Sequence, residues 1–385
     1  MTLSNWLFYA PTKIVFGPGS VASIADEVKA LGASKLLIAT DKGVAGAGVL
    51  KRVVQPLEAA GLAVTVYDGV EPNPSVTTVE KCYALFVQNG CELAIGLGGG
   101  SSMDTAKATC ILATNPGPIT LYGGANKVPN TPAPSIAIPT TAGTGAEVTQ
   151  TCVVTDSTRN YKVSVRSTLN VCKTAVLDPL LLTSLPSAVV ASTGMDALSH
   201  AVESYLSSGS SVLTEALSLE ATRVIAKRLR AFVANPSDES AAADMLYASM
   251  TAGLAFSNGR LTAVHAIAHA LGGHFHVAHG VACSLMLAPV MEFCLPVAAE
   301  KLAKVAEVMG EDVTGLPKDQ AARKAVDAVA KLAKDIGVPT RLTQVGVTAD
   351  KIDVLAADSD SSGIQNTTPR IPSIEEIKTL IQTTM

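Results

Sequence analysis

Asp196 and His200 stand four residues apart in the run Gly194-Met195-Asp196-Ala197-Leu198-Ser199-His200-Ala201. That spacing puts two side chains on one face of a helix, where a carboxylate and an imidazole can point at a single ion. His265 and His269 repeat it in His265-Ala266-Ile267-Ala268-His269, and His279-Gly280 follows a glycine-containing turn. Five of the six histidines fall between 265 and 279. A lone imidazole in an apolar helix is ordinarily a hydrogen-bonded core residue, and an Asp and His at this spacing can form a surface ion pair worth roughly 0.2–0.5 kcal/mol. Several imidazoles in small, apolar helices each need a partner, whereas one divalent ion satisfies them together. Asp196, His200, His265 and His279 offer three nitrogens and one oxygen and leave coordination positions for a substrate. Such donors suit iron(II), zinc and their neighbours, so ligand type does not name the metal. His274 and His276, alternating with Gly273, Phe275 and Val277, read as loop histidines or rim contacts to a substrate.

A second chemical feature is Gly98-Gly99-Gly100-Ser101-Ser102-Met103-Asp104, between the apolar run Leu93 to Leu97 and a helical stretch from Thr105 to Ala113. Three glycines let a backbone approach a pyrophosphate, and the N-terminal end of the following helix stabilises its charge. The run is not the G-x-G-x-x-G fingerprint, and a tight turn with Ser101 or Ser102 as helix N-cap explains it equally well. Asp41, after the run KLLIAT, has the character of a carboxylate that accepts from an adenosine ribose and repels a 2′-phosphate, favouring NAD over NADP; a turn or helix cap is its plainer use. Pro139-Thr140-Thr141-Ala142-Gly143-Thr144-Gly145 adds a third hydroxyl-rich segment at a strand end.

These residues need a scaffold, and the pattern of the chain supplies one. Short apolar runs at Lys35 to Thr40, Val64 to Asp68, Leu93 to Leu97 and Ser135 to Pro139 alternate with helical patterns at Val21 to Leu31 and Val76 to Asn89. Repeated βαβ units of this kind make a parallel, Rossmann-like sheet that binds ligands at the carboxyl ends of its strands. From Pro186 the character changes to long Ala-rich helices (Ser187 to Ser207, Val212 to Ala234, Ala241 to Ala255). The expected organisation is a dinucleotide-binding α/β domain over 1–185 and an all-helical metal-binding domain over 186–385, with the chemistry in the cleft between them.

Composition narrows the function classes. The chain has 385 residues, 48% hydrophobic and 16% charged, with a formal net charge of −4. That is ample material for more than one core and no basic field for nucleic acid. The opening segment MTLSNWLFYAPTKIVF lacks the pattern of a secretory signal, so the expected location is cytoplasmic. Pro289, Glu292 and Pro296 interrupt the one long apolar stretch, Val281 to Ala298, which reads as buried helix and loop rather than a membrane span. Seven dispersed cysteines with no C-x-x-C pair argue for reduced thiols and against a cysteine-ligated metal.

Taken with Phe16-Gly17-Pro18-Gly19, Pro72-Asn73-Pro74, PTTAGTGAEVT, TGMDALSHAVE, HAIAHALGGHFHVAHG and Asn366-Thr367-Thr368-Pro369-Arg370, these motifs resemble the iron-containing, group III alcohol dehydrogenases along essentially the whole chain. The resemblance implies iron(II), with zinc as the alternative, on Asp196, His200, His265 and His279, and a role near the nicotinamide for His269. It implies NAD contacts at Asp41, Asn73, Gly98, Gly99, Gly100, Ser101, Asp104, Thr140, Thr141, Thr144, Val153, Lys162 and Leu181, and a pocket wall at Phe256. The activity implied is hydride transfer between a short-chain primary alcohol or diol, or its aldehyde, and NAD(H), in a homodimer or larger homo-oligomer. Thr151 and Ala278 stand where many relatives carry Asn and Pro. Rival readings are a glycerol dehydrogenase or maleylacetate reductase of related fold, and a non-catalytic nucleotide- or metal-binding module. A zincin-like hydrolase shares H-x-x-x-H, but Ala266 stands where its Glu belongs.

Overall fold

The computed structural model describes residues 5–159 and 161–385; the first four residues of the opening segment lie outside the described residues. Two compact units result. One comprises Tyr9–Thr141 and Gly145–Ser184, the other Leu185–Met385 with Ala142–Thr144 and residues 5–8.

In the first unit the chain runs β1 (Lys13–Phe16), α1 (Ile24–Ala30), β2 (Lys35–Ala39), α2 (Lys42–Gly46), α3 (Val49–Ala59), β3 (Ala63–Tyr67), α4 (Val76–Gln88), β4 (Leu93–Gly98) and α5 (Gly100–Thr114). It continues through β5 (Gly124–Ala125), β6 (Ser135–Pro139), β7 (Thr151–Asp156), β8 (Tyr161–Arg166) and β9 (Thr174–Leu177). Six strands form one all-parallel sheet in the order β1-β9-β6-β4-β2-β3. Strands β4 and β6 are buried at every position, which is why they read as continuous apolar runs rather than alternating ones. The small sheet β5-β8-β7 holds the antiparallel pair β7 and β8, whose burial alternates.

The second unit contributes α6 (Ser187–Leu206), α7 (Val212–Ala234), α8 (Glu239–Gly259), α9 (Ala263–Phe275), α10 (His279–Val308), α11 (Lys318–Asp335), α12 (Ile352–Ser361) and α13 (Ile374–Thr383). Ser211 starts α7 with a capping box to Thr214. Buried Ala201 of α6, Ala221 of α7 and Ala252 of α8 cluster together. Small side chains at such a contact let the helix backbones come close.

Several sequence expectations change. The stretch Val21 to Leu31 divides into a 3-10 turn, Ser20–Ser23, and α1. Helix α5 begins at Gly100 with Gly99 as N-cap, so neither Ser101 nor Ser102 is the cap. His274 sits in the last turn of α9, where its Nε2 meets Asp358 Oδ2 at 2.5 Å, and His276 ends the helix in the left-handed region at φ +54°. Val281 to Ala298 is continuous helix within α10; Pro289 and Pro296 are accommodated, and backbone geometry departs from helical only at Ala298. That helix is long and apolar enough to cross a membrane, but 61% of its most apolar window is buried inside the protein, the environment of a core helix.

Candidate metal centre and dinucleotide site

The parallel sheet carries several of the dinucleotide candidates at the carboxyl ends of its strands. Asp41 follows β2, Asn73 follows β3, Gly98 ends β4, Thr140 follows β6, and Leu181 is buried in the turn Pro179–Leu181 after β9. The Thr140 N–H donates to the Gly98 carbonyl at 3.0 Å. Gly98 has φ +147°, and a Cβ there would lie 2.5 Å from Ser102 Oγ. Only glycine lets β4 turn so directly into α5, whose opening N–H groups are the natural seat for a phosphate. The Thr141 side chain flanks Gly99, 3.4 Å from the position a Cβ would take.

Asp41 Oδ1 caps α2 by accepting the Val44 N–H at 2.9 Å, so its capping use is real. Its Oδ2 lies 3.4 Å from the Cβ position of Gly98, beside the glycine turn. Asn73 adopts φ +56°, donates its N–H to Ser101 Oγ at 3.3 Å and accepts from Thr155 Oγ1 at 3.1 Å. Asp104 and Val153 are joined to each other, the Val153 N–H donating to Asp104 Oδ2 at 2.9 Å. Burial pushes the Asp104 carboxyl up to about 6 against the pull of Lys107, the Val153 N–H and Lys162. Lys107 is a residue the sequence reading misses. Its buried ammonium donates to the carbonyls of Ala146 at 2.5 Å, Thr149 at 2.9 Å and Thr151 at 3.2 Å, tying the segment before β7 to α5. Beside it, burial pushes the Glu147 carboxyl up to about 7.

Three helices of the second unit build the other site. Asp196 and His200 come from α6, His265 from α9 and His279 from the first turn of α10; one donor atom from each lies within 4.8 Å of the rest. Gly280 makes this approach possible, since a Cβ there would stand 2.1 Å from the Ser192 carbonyl oxygen of α6. His200 Nε2 and His265 Nε2 are 2.9 Å apart. Asp196 Oδ1 is 3.6 Å from the Nε2 of His279, 3.7 Å from that of His265 and 3.9 Å from that of His200.

Hydrogen-bonding chemistry decides what this arrangement can hold. His200 Nδ1 faces the Gly143 carbonyl at 3.2 Å, and a carbonyl only accepts, so the proton is on Nδ1 and Nε2 carries a lone pair. His265 Nδ1 meets the Glu203 carboxylate, which only accepts, so Nδ1 carries a proton; in the neutral ring that leaves Nε2 as the acceptor and candidate ligand atom. Burial alone would raise the Glu203 carboxyl, but His265 and the Thr262 donors outweigh it and hold it below the usual range, so it accepts. The two Nε2 atoms face each other at 2.9 Å, a contact that requires a positive species, a proton or a metal ion, between them. Asp196 Oδ1, also buried, accepts no hydrogen bond among the described residues. A divalent cation satisfies all of these atoms at once, so the residues fit the metal. Burial pushes His200 down to about 4, with Asp196 opposing, so its imidazole stays neutral and able to ligate. His279, its side chain 26% exposed, forms the open side of the cluster; those of Asp196 and His265 are 3% and 2% exposed.

The neighbours are also defined. Phe256 of α8 stacks on the His200 ring at a centroid distance of 4.2 Å. His269 lies beside the cluster and outside it, its ring 5.6 Å from that of His279 and 6.3 Å from that of His265. Cys283 Sγ comes within 3.7 Å of His265 Nε2 and 3.8 Å of His279 Nε2. The sequence reading sets cysteine aside and so misses this thiol, although His279 and Cys283 share the i, i+4 spacing. Ala278, as N-cap of α10, keeps φ −56°, close to the value proline would impose.

The sequence profile of iron-containing alcohol dehydrogenases matches residues 11–179, and the profile of the C-terminal part of the Fe-containing alcohol dehydrogenase family matches residues 190–385. The chain belongs to the iron-containing alcohol dehydrogenase family. This dehydrogenase is 38% identical over 377 residues to a 1,3-propanediol dehydrogenase of Klebsiella pneumoniae, covering 97% of each chain. It is 36% identical over 375 residues to an NAD-dependent methanol dehydrogenase of Bacillus methanolicus, covering 97% of this chain and 98% of the relative. The crystal structure of a 1,3-propanediol oxidoreductase superposes with a TM-score of 0.97 at 38% identity, over 99% of this chain and 100% of that one. The dehydrogenase is an oxidoreductase of alcohols and aldehydes with NAD and iron as cofactors. These relatives favour that activity over the glycerol dehydrogenase, maleylacetate reductase, hydrolase and non-catalytic readings.

Proposed function

We propose that Asp196, His200, His265 and His279 hold the metal and that the enzyme interconverts short-chain primary alcohols or diols and their aldehydes. The observation that carries the metal assignment is the convergence of four donor atoms within 4.8 Å, with the Nε2 atoms of His200 and His265 2.9 Å apart beside Asp196 Oδ1. A divalent ion bound there supplies Lewis acidity, the chemistry that makes an alcohol proton easier to remove. The protein's own part is to orient and to move protons. Phe256, flat on His200, walls the apolar side of the substrate pocket. His269, next to the ligands without being one of them, carries the released proton toward solvent. The glycine turn Gly98 to Gly100 with the α5 N-terminus seats the NAD pyrophosphate, and Asp41, Asn73, Ser101, Asp104, Thr140, Thr141, Thr144, Val153, Lys162 and Leu181 complete the dinucleotide site. Here Asp104 acts through the Val153 backbone it holds.

The domain assignment proposed is a dinucleotide domain over 1–185 and a metal-binding domain over 186–385. A cytoplasmic location is supported by the absence of any disulfide among seven buried cysteines. A homodimer or larger homo-oligomer is supported by edge strand β1, which exposes Ile14 and Phe16.

The test is NADH formation from a panel of short alcohols and diols after chelation and re-addition of iron(II) or zinc under anaerobic conditions. Turnover restored by a divalent ion supports the reading. Equal turnover in the chelated and reloaded protein, or no turnover with any alcohol in any metal form, removes it.

A further inference from the structure

Glu203 is buried, with 1% of its surface exposed, and both of its carboxylate oxygens are committed. Oε1 accepts the Thr262 N–H at 2.8 Å, the Thr262 hydroxyl at 2.7 Å and the His265 N–H at 3.3 Å. Oε2 meets His265 Nδ1. Thr262 is the N-cap of α9 and supplies no side-chain cap itself, so a carboxylate from α6 does that work from outside the helix. One side chain thus secures both the start of α9 and the ring of the metal candidate on that helix.

We propose that Glu203 is a positioning residue of the metal centre, fixing His265 in the Nδ1–H tautomer with Nε2 bare toward the ion and adding the centre's second negative charge. A carboxylate facing the far nitrogen of a ligand imidazole sets ring orientation and raises ligand basicity, and losing it costs roughly 10–100-fold in metal affinity. His200 contrasts with this, because its Nδ1 is held only by the neutral carbonyl of Gly143. The charge balance follows: Asp196 inside the cluster and Glu203 behind it neutralise one divalent cation in a buried setting, where an unbalanced charge is costly. The inference rests on the assignment of His265 as a ligand.

The informative substitution is Glu203→Gln. Gln retains an oxygen that can stay on the Thr262 and His265 N–H donors, so the cap of α9 survives. Its NH2 group then faces His265 Nδ1, which must become an acceptor, and the imidazole proton moves to Nε2, where the metal needs a lone pair. In full-length protein, cobalt(II) affinity measured by competition with a chromophoric chelator is expected to fall roughly 10–100-fold in Glu203→Gln. The cobalt visible spectrum is expected to change, while NADH affinity and metal-free melting stay near wild type. Glu203→Ala is expected to lose both metal affinity and melting temperature; should it fail to fold, the Gln variant decides alone. Wild-type cobalt affinity and spectrum in Glu203→Gln overturn the inference and leave Glu203 as a helix cap. A wild-type protein that binds no cobalt overturns instead the ligand assignment on which it rests.

Discussion

The two units bury charge in opposite ways. Around the glycine turn the proposed phosphate seat is backbone, and ionisable groups pack beneath it: buried Lys107 strapping the segment before β7, with Asp104 and Glu147 pushed up to about 6 and about 7 by burial. Around Asp196 the site is side chains, and burial there pushes His200 down to about 4. A site of main-chain donors tolerates side-chain truncation and is harmed by added atoms. A site of side-chain donors is harmed by any truncation. Recognition of a phosphate, needed by many proteins, suits the first construction, and holding one ion in fixed geometry demands the second.

The largest effect should come from truncating the second. His265→Ala removes one proposed ligand and leaves Glu203 Oε2 buried without its partner, so metal content should drop to near zero. Turnover should fall on the order of 10³-fold or more, since Lewis acidity is worth several kcal/mol. NADH affinity should remain near wild type. Metal analysis, steady-state rates and NADH fluorescence titration check this, and retained stoichiometric metal would remove His265 from the ligand set.

The opposed pKa shifts give the next largest effect. Asp104 and Glu147 are raised from 3.8 and 4.5, so the stability they contribute is full below those values and lost as pH rises through about 6 and about 7. His200 is lowered from 6.5, so its contribution is present above 6.5 and lost as pH falls through about 4. Each shift is worth on the order of 3 kcal/mol. In metal-free protein, amide-exchange protection factors in α5 should therefore fall between pH 4.5 and 7 while those in α6 rise. Glu147→Gln should roughly halve the α5 trend and leave that of α6 unchanged. Parallel trends in the two helices would dissolve the contrast.

Legibility in the sequence follows the same division. Strands β2, β4 and β6 were readable because a parallel sheet covered on both faces leaves an unbroken apolar run, whereas β7 and β8 alternate and carry Thr, Lys and Arg, so they pass for loop. Helices α6 and α7 are readable from end to end, and α11 to α13, beyond the last metal-ligand candidate, draw no individual assignment. Asp196 and His200 announce themselves at i, i+4. Glu203 continues that face at i+7, a signal available in the sequence, but its partners Thr262 and His265 lie about sixty residues on, and only the fold reveals that it serves them. Gly280 is similar: its necessity comes from the Ser192 carbonyl of another helix. Lys107, in the middle of a helix, looks like a solvent-facing lysine until three carbonyls converge on it.

Adding one methyl group tests the backbone site. Gly98→Ala places a Cβ 2.5 Å from Ser102 Oγ at φ +147°, a conformation that costs a non-glycine residue about 2 kcal/mol. If the turn relaxes away from the pyrophosphate, NADH affinity should weaken roughly 30-fold, since each 1.4 kcal/mol is tenfold. Metal content should not change. The outcome that breaks the comparison is loss of metal with NADH binding intact, because it would mean that the glycine turn supports the ion rather than the dinucleotide.

His269 is the residue on which the division is sharpest. It shares α9 with His265 at i+4, so helix position alone would make it a ligand, and yet its ring stands outside the set of four. A proton carrier should matter to rate and little to binding. His269→Ala should keep stoichiometric metal and NADH affinity within about twofold, and slow turnover roughly 100-fold, at the low end of the range for positioned acid–base groups. The slowing should be greatest near neutral pH, where an imidazole both takes up and releases a proton, and smallest at high pH, where hydroxide can accept the proton directly. A pH–rate profile parallel to wild type would assign His269 to cofactor positioning instead. Loss of metal would move it into the ligand set.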